Sequence, residues 1–409
     1  MMQEKMPPLS GLLVLDLTRV LAGPYCTMLL ADLGARVIKI ELPDTGDDAR
    51  QIGPFVDDGK GGRTSAYFFS VNRNKESLAL DLKNPDERRA FEALLDVADV
   101  LVENFTPGVL ARLGYGWEQL QRRNPRLILA SISGFGQTGP YAPLPAYDMV
   151  VQAMGGVLSL TGDEGGVPTR VGVSIGDLSA GLFGALGVQT ALIERHRTGQ
   201  GRHVDVAMLD CQVALLENAL ARLQVDGTTP GPIGSRHASI TPFGLFKASD
   251  GFLVIAAGND AMFARLCRAL DVAHLASDPR FDTNALRCAN QAALKLALED
   301  ALASQTCRVW LATLEQAGVP CGPMNDVAAV LADPQVEARQ MLVEMTMPGG
   351  RLIRVAGNPV RFSGESPPSH RPAPILDENR VALWREFSLP GKPDRVTPAP
   401  NPSESKEMK

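Results

Sequence analysis

The spacing of apolar residues over the first part of the chain predicts strands that alternate with helices. Residues 12–17 (LLVLDL) form a nearly continuous apolar run, which is typical of a parallel strand covered on both faces. Gly23 and Pro24 then open an apolar pattern with helical spacing that ends at Gly34, and residues 37–40 form a second apolar run. These segments predict a βαβ unit with a right-handed crossover.

The same alternation continues beyond this unit and predicts the fold class. Asn84, Pro85 and two acidic residues after them are the expected start of the next helix. Strands are predicted at residues 100–102 and 127–131, with a short helix at 117–122 between them. The pattern is that of an α/β protein with a Rossmann-like, doubly wound parallel sheet.

Small residues become frequent further along the chain. A helix with recurring glycine and alanine is predicted at residues 178–195, followed by a strand at 203–206 and a helix at 207–224. Small side chains allow another backbone to approach closely, either within one subunit or across a subunit contact. The Gly- and Pro-rich residues 226–235 are the expected domain boundary.

A smaller α+β module is predicted after this boundary. Residues 244–247 and 253–256 flank a Ser-Asp-Gly turn and predict a hairpin. Two amphipathic helices and then two strands are expected at residues 261–269, 291–303, 342–345 and 352–355. The tail after Pro390 is rich in Pro, Ser and Lys and is expected to be disordered.

Composition and charge narrow the class of protein. The 409 residues carry a net charge of −6 with only 5% aromatic residues, so we expect no nucleic-acid partner. Six cysteines without a C-x-x-C pair and five histidines without ligand spacing predict neither a disulfide scaffold nor a metal site. The start lacks an apolar signal region, and polar residues interrupt the apolar stretch 178–193. We therefore expect a cytoplasmic enzyme without a membrane span.

Several common catalytic motifs are missing from the chain. One glycine follows the first strand where the fingerprint G-x-G-x-x-G would need three, which disfavours a nicotinamide-dependent oxidoreductase. The absence of a G-x-S-x-G elbow disfavours an α/β-hydrolase. His237 lies in the loop that enters the small module and is a candidate to face a cleft.

Asp177 is the acidic residue that stands out. The apolar run 171–175 predicts a strand that ends at Gly176, and Asp177 then begins the long helix. Its carboxylate is expected to cap the helix by accepting free backbone N–H groups. The same position also presents a carboxylate at a loop edge, beside helix N–H donors that stabilise developing negative charge. The sequence is compatible with both roles.

A set of collinear segments within residues 9–335 points to one family: LSGLLVLDLTRVLAGPYCTMLLADLGARVIKIE, NRNKESLALDLKNP, DVLVENFTPGVLARLGYG, SISGFGQTGPY, AYDMVVQAMGGVLSLTG, VGVSIGDLSAGLFGALGVQTAL, TGQGRHVDVAMLD and GVPCGPMNDV. In these segments the chain closely resembles the class III coenzyme A transferases. That family includes formyl-CoA:oxalate and carnitine CoA-transferases and, by descent, α-methylacyl-CoA racemase.

The resemblance implies an architecture. Family members build a large Rossmann-like domain from both ends of the chain, with a small domain between them, and form an interlocked dimer. For this chain it implies a large CoA-binding domain at residues 1–225, completed by a return segment at 324–390. A small α+β domain would occupy residues 226–323, and a disordered tail would follow at 391–409. The implied partner is a second copy of the chain, in a homodimer.

The resemblance also implies the site residues. Asp177, in SIGD, matches the catalytic aspartate of the family. The positions that match CoA-contacting residues are Leu21, Ala22, Leu80, Asp81, Leu82, Lys83, Asn104, Phe105, Arg112, Leu113, Tyr147 and Asp148. Leu42 stands where some members carry a basic residue after the second strand. Positive charge for the CoA phosphates is then expected from Arg19, Arg73, Lys75 or Arg112.

The implied chemistry gives Asp177 a covalent role. Its carboxylate attacks a donor acyl-CoA to form a mixed anhydride, and the released CoA thiolate then forms an aspartyl-CoA thioester that an acceptor carboxylate resolves. Coenzyme A and acyl-CoA are substrates, and neither a metal nor a permanently bound cofactor is implied. Racemases of the superfamily carry a His where this chain has Tyr147, whose phenol is a weak proton carrier at neutral pH, so a racemase is disfavoured.

The loop of the small domain bears on the substrates. Oxalate-specific members carry a run of glycines there, whereas this chain has GPIGSRHASITPFG. SRHASITPF, AAGND and GVPCGPMNDV are more similar to succinyl-CoA:dicarboxylate transferases that use glutarate or itaconate. We therefore expect succinyl-CoA as donor and a small dicarboxylate as acceptor. Arg236 and His237 either hold the distal carboxylate or lie in a solvated loop. A formyl-CoA:oxalate or other carboxylate CoA-transferase and a non-catalytic CoA-binding protein are the alternatives.

Overall fold

The structure is a computed structural model that describes residues 6–59, 61–363, 370–391 and 393. Its strands are β1 (Leu13–Asp16), β2 (Arg36–Glu41), β3 (Phe55–Asp57), β4 (Arg63–Ser65), β5 (Lys75–Ala79), β6 (Val100–Glu103), β7 (Ile128–Ser133), β8 (His203–Ala207), β9 (Phe243–Lys247), β10 (Phe252–Ala256), β11 (Cys321–Pro323), β12 (Leu342–Thr346) and β13 (Leu352–Ala356). Its helices are α1 (Ala22–Asp32), α2 (Ala66–Val71), α3 (Pro85–Val97), α4 (Val109–Arg112), α5 (Trp117–Arg123), α6 (Asp148–Met154), α7 (Val157–Leu160), α8 (Ile175–Thr198), α9 (Met208–Ala214), α10 (Ala219–Asp226), α11 (Asp260–Ala269), α12 (Asn284–Ala289), α13 (Gln291–Leu302), α14 (Cys307–Gln316), α15 (Val327–Leu331), α16 (Pro334–Ala338) and α17 (Arg380–Glu386).

The chain divides into two compact units. The large unit holds residues 1–157, 171–217 and 339–409, and the small unit holds residues 158–170 and 218–338. The sequence predicts that the small domain begins at residue 226 and ends at residue 323, whereas the second segment of the small unit begins at 218 and ends at 338. Residues 158–170 were not predicted to belong to the small domain. The predicted disordered tail, 391–409, lies outside the described residues except at positions 391 and 393.

A six-stranded sheet forms the centre of the large unit, in the order β5-β2-β1-β6-β7-β8. All neighbouring strands are parallel, and Leu15 of β1 is in register with Ile38 of β2 and Leu101 of β6. In chain order this is the 3-2-1-4-5-6 arrangement of doubly wound folds, and it confirms the predicted parallel sheet. The strand order reverses between β1 and β6, and ligands of such sheets bind beyond the carboxyl ends of the strands at that point.

Helices cover both faces of this sheet. Leu13 and Leu15 of β1 pack with α3, α5 and α17, whereas Val14 packs on the opposite face with α1 and α8. Because both faces are covered, successive strand residues are apolar, which explains the continuous apolar runs in the sequence.

The small residues of α8 let it pack closely on α1 and the sheet. A Cβ atom at Gly181 would lie 2.8 Å from the carbonyl oxygen of Ala22, and one at Gly184 would lie 2.8 Å from Cδ1 of Ile132. Larger side chains at these positions would force the helix outward. On this face, therefore, the small residues serve packing within the chain.

The apolar length of α8 also passes a test for a membrane span. Among the described residues it is the one helix long and apolar enough to cross a membrane. Its buried face packs in the core between α1 and β7, as the helix of a globular core does. The cytoplasmic location stays a prediction.

The return segment covers the β5 edge of the sheet. The side-chain oxygens of Asn379 and Asp377 accept hydrogen bonds from the backbone N–H groups of Ser77 and Ala79, at 2.9 and 2.8 Å. Leu383 and Trp384 of α17 belong to the apolar core beneath that edge. These contacts satisfy edge groups that would otherwise be free to pair with another strand.

The small unit is built on an antiparallel sheet in the order β11-β10-β9. Leu253 of β10 pairs with Phe246 of β9, which confirms the predicted hairpin, and with Pro323 of β11. Helices α11, α13 and α14 pack their apolar residues onto this sheet, among them Leu298 and Leu314.

Two predicted elements are wrong. Residues 171–174 form no strand, because the Val171 N–H is bonded to the side chain of Gln152 instead of a neighbouring strand, at 3.1 Å. The helix predicted over 207–224 is broken into α9 and α10. Glu217, between them, has a φ of 55°, and the chain passes there from the large unit to the small one. The elements that were not predicted are helices α2, α4, α6, α7, α12, α14, α15, α16 and α17 and strands β3, β4, β5 and β11.

Candidate active site

Asp177 lies in the first turn of α8, which begins at Ile175 after Ser174. Its side chain is half-buried. The carboxylate that accepts the N–H of Gly176, at 2.9 Å, belongs to Asp148 at the start of α6. Because α8 begins at Ile175, Asp177 lies inside its first turn and does not precede the helix as predicted, and the Gly176 N–H is accepted by Asp148.

Asp148 is itself held in place by a neighbour in α6. The Nε2 group of Gln152 donates to both oxygens of Asp148, at 3.0 and 2.9 Å. A Cβ atom at Gly176 would lie 2.7 Å from Cγ2 of Val151 and 3.1 Å from Oδ1 of Asp148, so the close approach of α6 requires glycine there. Asp148, predicted to contact CoA, is buried and ties α6 to the turn that carries Asp177.

Tyr67 of α2 is a nearby residue that the sequence interpretation missed. Burial, together with the negative charges of Asp177, Asp47 and Asp148, raises the pKa of Tyr67 to about 12. The phenol thus stays protonated at neutral pH and can donate a hydrogen bond. Tyr67 and Leu178 pack against the same apolar cluster as Leu21, which places the start of α1 beside the start of α8.

A cavity of 270 Å³ opens at the carboxyl ends of β1, β2 and β5. Its walls include these residues predicted to contact CoA: Leu80, Asp81, Leu82, Lys83, Phe105 and Leu113. The wall also contains Leu42, at the position where some class III CoA-transferases carry a basic residue. Positive charge at this wall comes instead from the side chains of Arg19 and Lys83. The cavity lies where doubly wound sheets bind their ligands.

The remaining residues predicted to contact CoA lie outside the wall of this cavity. Leu21 and Ala22 are buried at the start of α1, and Arg112 and Tyr147 are exposed. Asn104 acts on the backbone of Arg19: its Oδ1 accepts the Arg19 N–H and its Nδ2 donates to the Arg19 carbonyl, both at 2.8 Å.

Two of the four residues expected to hold the CoA phosphates are committed to internal ion pairs. Arg73 is 1% exposed and pairs with Asp32 at 2.6 Å. Lys75 is 3% exposed and pairs with Asp16 at 3.0 Å. The expectation that Arg73 or Lys75 meets a phosphate is therefore wrong, because neither charge reaches the surface. Long-range partners of this kind give no local signal in the sequence.

Arg236 and His237 lie in the small unit. Arg236 lines a cavity of 230 Å³ with Glu164 and Lys295, and its Nη2 lies 3.0 Å from Oε1 of Glu164. The His237 ring stacks on Phe243, and its Nδ1 accepts the Ser239 N–H at 3.0 Å. The guanidinium of Arg236 therefore lies at a cavity, whereas His237 is not one of the residues that line it. Within the described residues, no cluster of His, Cys, Asp or Glu is placed to hold a metal ion.

Comparison with known proteins decides the family. The model of CoA-transferase family III matches residues 9–380. The chain belongs to this family. Its members use CoA thioesters as substrates and carry no permanently bound cofactor, so the chain is an enzyme that catalyses CoA transfer.

Individual relatives cover nearly the whole chain. The acetyl-CoA:oxalate CoA-transferase of Acetobacter aceti is 50% identical over 94% of this chain and 96% of its own length. The succinate–glutarate CoA-transferase of Agrobacterium fabrum is 40% identical over 94% of this chain and 97% of its own. The crystal structure of a CAIB/BAIF family protein from Brucella suis is 41% identical, with a TM-score of 0.83 over 94% of this chain and 100% of that one.

Glu103 is a buried acid beside the cavity. It ends β6, is 4% exposed, and its Oε2 accepts the N–H of Phe105 at 2.8 Å. Burial raises the pKa of Glu103 to about 7, although hydrogen bonds from Ser131 and Phe105 oppose the rise. A carboxyl group with this pKa changes charge near neutral pH while it holds a residue of the cavity wall.

Glu103→Gln should remove a pH-dependent loss of stability. A raised pKa means that the contribution of Glu103 is complete below its ordinary value of 4.5 and is lost as the pH rises through about 7. Between about pH 4.5 and pH 8, the unfolding free energy of the wild type should fall by about 3 kcal/mol relative to the variant. Denaturant titrations at a series of pH values measure this difference, and a difference that does not vary with pH would contradict the burial argument.

Proposed function

We propose that the enzyme transfers CoA from an acyl-CoA to a small dicarboxylate, with Asp177 as the nucleophile. The observation that carries this is the half-buried carboxylate in the first turn of α8, beside a phenol that stays protonated. Asp148 accepts the Gly176 N–H and so ties this turn to α6.

The reaction runs through covalent intermediates on Asp177. Its carboxylate attacks the donor thioester, the C–S bond breaks, and CoA thiolate leaves a mixed anhydride. The thiolate then attacks the aspartyl carbonyl, releases the donor acid and forms an aspartyl-CoA thioester. The acceptor carboxylate repeats both steps in reverse. Each step exchanges acyl groups of similar energy, which replaces one difficult displacement by several easier ones.

Tyr67 and the start of α8 suit the charge that develops in these steps. Each attack places negative charge on a carbonyl oxygen, which hydrogen-bond donors and the positive end of a helix stabilise. The phenol of Tyr67 supplies such a donor throughout the neutral pH range, because its pKa is raised to about 12.

Asp177→Ala should abolish transfer and leave CoA binding in place. Loss of the nucleophile is expected to lower the rate of acyl exchange by roughly 10³-fold or more. Mass spectrometry of the acyl-CoA products measures the rate, and hydroxylamine added during turnover should label Asp177 alone. The control is Asp210→Asn, an exposed acid of the same unit, which should behave as the wild type. Undiminished exchange by Asp177→Ala would overturn the assignment.

We propose a short dicarboxylate as the acceptor. The relatives from Acetobacter aceti and Agrobacterium fabrum are named for oxalate and glutarate, and both acids carry two carboxylates. The small-domain loop favours succinyl-CoA as donor, whereas the 50% identity favours acetyl-CoA with oxalate as the second candidate. A matrix of both donors against oxalate, glutarate and itaconate ranks the pairs by kcat/KM.

Arg236 is the proposed contact for the distal carboxylate. Its Nε is buried and, within the described part of the chain, has no hydrogen-bond partner, while Glu164 occupies one side of the guanidinium. A second carboxylate could replace Glu164 and bind in a bidentate manner.

Arg236→Met should raise the KM for the best dicarboxylate acceptor by about tenfold, the effect of one lost charged hydrogen bond. Glu164→Gln should lower that KM, because it frees the guanidinium. The KM for a monocarboxylate such as propionate is the control and should not change in either variant. Equal KM values for the dicarboxylate in Arg236→Met and wild type would favour a solvated loop instead.

We also propose that the enzyme is a homodimer, for which the family resemblance implies an interlocked form. The support is the outer face of α8, where Leu182, Leu186 and Ile193 are 53%, 58% and 74% exposed. A row of exposed apolar side chains of this kind marks a contact surface. Sedimentation equilibrium should give twice the chain mass of 43.7 kDa, and Leu186→Glu should shift it towards the monomer. A wild-type monomer at micromolar concentration would contradict the proposal.

A further inference from the structure

The loop between β1 and α1 is held by side chains that come from distant parts of the large unit. The Arg19 backbone is bonded at both its N–H and its carbonyl by Asn104. The Thr18 carbonyl accepts a hydrogen bond from Nζ of Lys39 at 2.7 Å. The Val20 N–H donates to Oδ1 of Asp47 at 2.9 Å. Side chains that lie outside the loop therefore fix its conformation.

Val20 adopts a backbone conformation that its side chain disfavours. Its φ is 67°, in the left-handed region where glycine is the usual residue and a β-branched side chain is a rare exception. Residues in this region persist only where their surroundings hold them, and they cluster at functional sites. The turn between β1 and α1 thus has valine at a position where glycine would adopt this conformation freely. Contacts with neighbouring side chains hold the valine in that conformation instead.

Asp47 and Lys39 form the contact that holds Val20. Asp47 is 1% exposed and Lys39 is fully buried, and Nζ of Lys39 lies 2.9 Å from Oδ2 of Asp47. Oδ1 of Asp47 also accepts the Ala49 N–H at 2.8 Å. Burial opposes the charge of Asp47, but Lys39 and the N–H groups of Val20 and Ala49 outweigh it and lower the pKa of Asp47. The carboxylate is therefore an acceptor over the whole working pH range.

This loop leads directly into the region where CoA is proposed to bind. Leu21 follows Val20 and precedes the first residue of α1. Thr18, Arg19 and Asp47 line the cavity of 270 Å³. A different backbone conformation at Val20 would therefore alter both the wall of the cavity and the start of α1.

We propose that Asp47, supported by Lys39, is a positioning residue for CoA binding: it holds Val20 in the left-handed conformation and so fixes the wall of the CoA cavity. The inference rests on the proposed location of CoA in this cavity. It assigns to Asp47 the conformational role that a glycine has in other strand-to-helix turns. Asp47 acts through the Val20 backbone and not by touching the reacting atoms.

The test is a rescue experiment on the full-length enzyme. Asp47→Ala should raise the KM for the donor acyl-CoA, and the Kd for CoA itself, by about tenfold, while kcat changes by less than about threefold. Adding Val20→Gly should restore both constants to within about threefold of the wild type, because glycine adopts a φ of 67° without support. Val20→Gly alone should bind CoA as the wild type does.

Two further variants separate the possible reasons for an effect. Asp47→Asn keeps an oxygen that can accept the Val20 N–H, so its KM should stay close to that of the wild type. If Asp47→Ala does not fold because Lys39 loses its nearest carboxylate, Lys39→Met/Asp47→Ala removes that charge. Since Lys39→Met also loses the hydrogen bond to the Thr18 carbonyl, this variant is compared with Lys39→Met alone, and Val20→Gly should remove the difference in KM between the two.

An unchanged KM in folded Asp47→Ala, or a raised KM that Val20→Gly does not lower, would overturn the inference. Equal losses in Asp47→Asn and Asp47→Ala would also overturn it, because they would show that the charge acts directly. The proposed function is judged separately. Its failure would be an absence of acyl exchange in the wild type, whereas the role of Asp47 is read from the Kd for CoA, which needs no turnover.

Discussion

The buried carboxylate of Asp16 is the interaction on which the large unit depends. It ends β1 with no exposed surface and lies 3.0 Å from Nζ of Lys75 on β5 and 3.9 Å from Nζ of Lys39 on β2. Thr27 of α1 donates to the same carboxylate at 2.7 Å. Burial opposes its charge, but the two lysines prevail and lower the pKa of Asp16 to about 2. A buried charge cluster of this kind is costly unless every member has a partner, so it fixes how three strands and α1 meet at the carboxyl edge of the sheet.

The same edge provides both the cavity and the start of α1, and the close packing of α8 on α1 brings Asp177 to it. Gly181 and Gly184 allow that packing, and Asp148 with Gln152 ties α6 to the first turn of α8. The carboxylate of Asp177 is thus placed by packing and by hydrogen bonds of its neighbours. These contacts hold the turn that carries the residue proposed to be acylated in every cycle.

The two units differ in what they can contribute to the proposed function. The large unit has the chemistry of the family, with the candidate nucleophile, a protonated phenol and a cavity at the reversal of strand order. The small unit has a separate cavity with an arginine that an acid could bind. Among the relatives of this family, one is named for oxalate and another for glutarate.

The sequence by itself determined the elements whose signals are local. The apolar runs of β1 and β2, the cap of α3 by Asn84 and the β9–β10 hairpin depend on residues next to each other, and the structure has all of them. The family, with CoA as a substrate, was also evident from collinear segments. Only the tertiary structure decided that Arg73 and Lys75 are buried in ion pairs, that Tyr67 lies near Asp177, and that Val20 is held in a left-handed conformation. These features depend on partners far away in the chain, and a lysine that will be buried has the same local sequence pattern as one that stays in water.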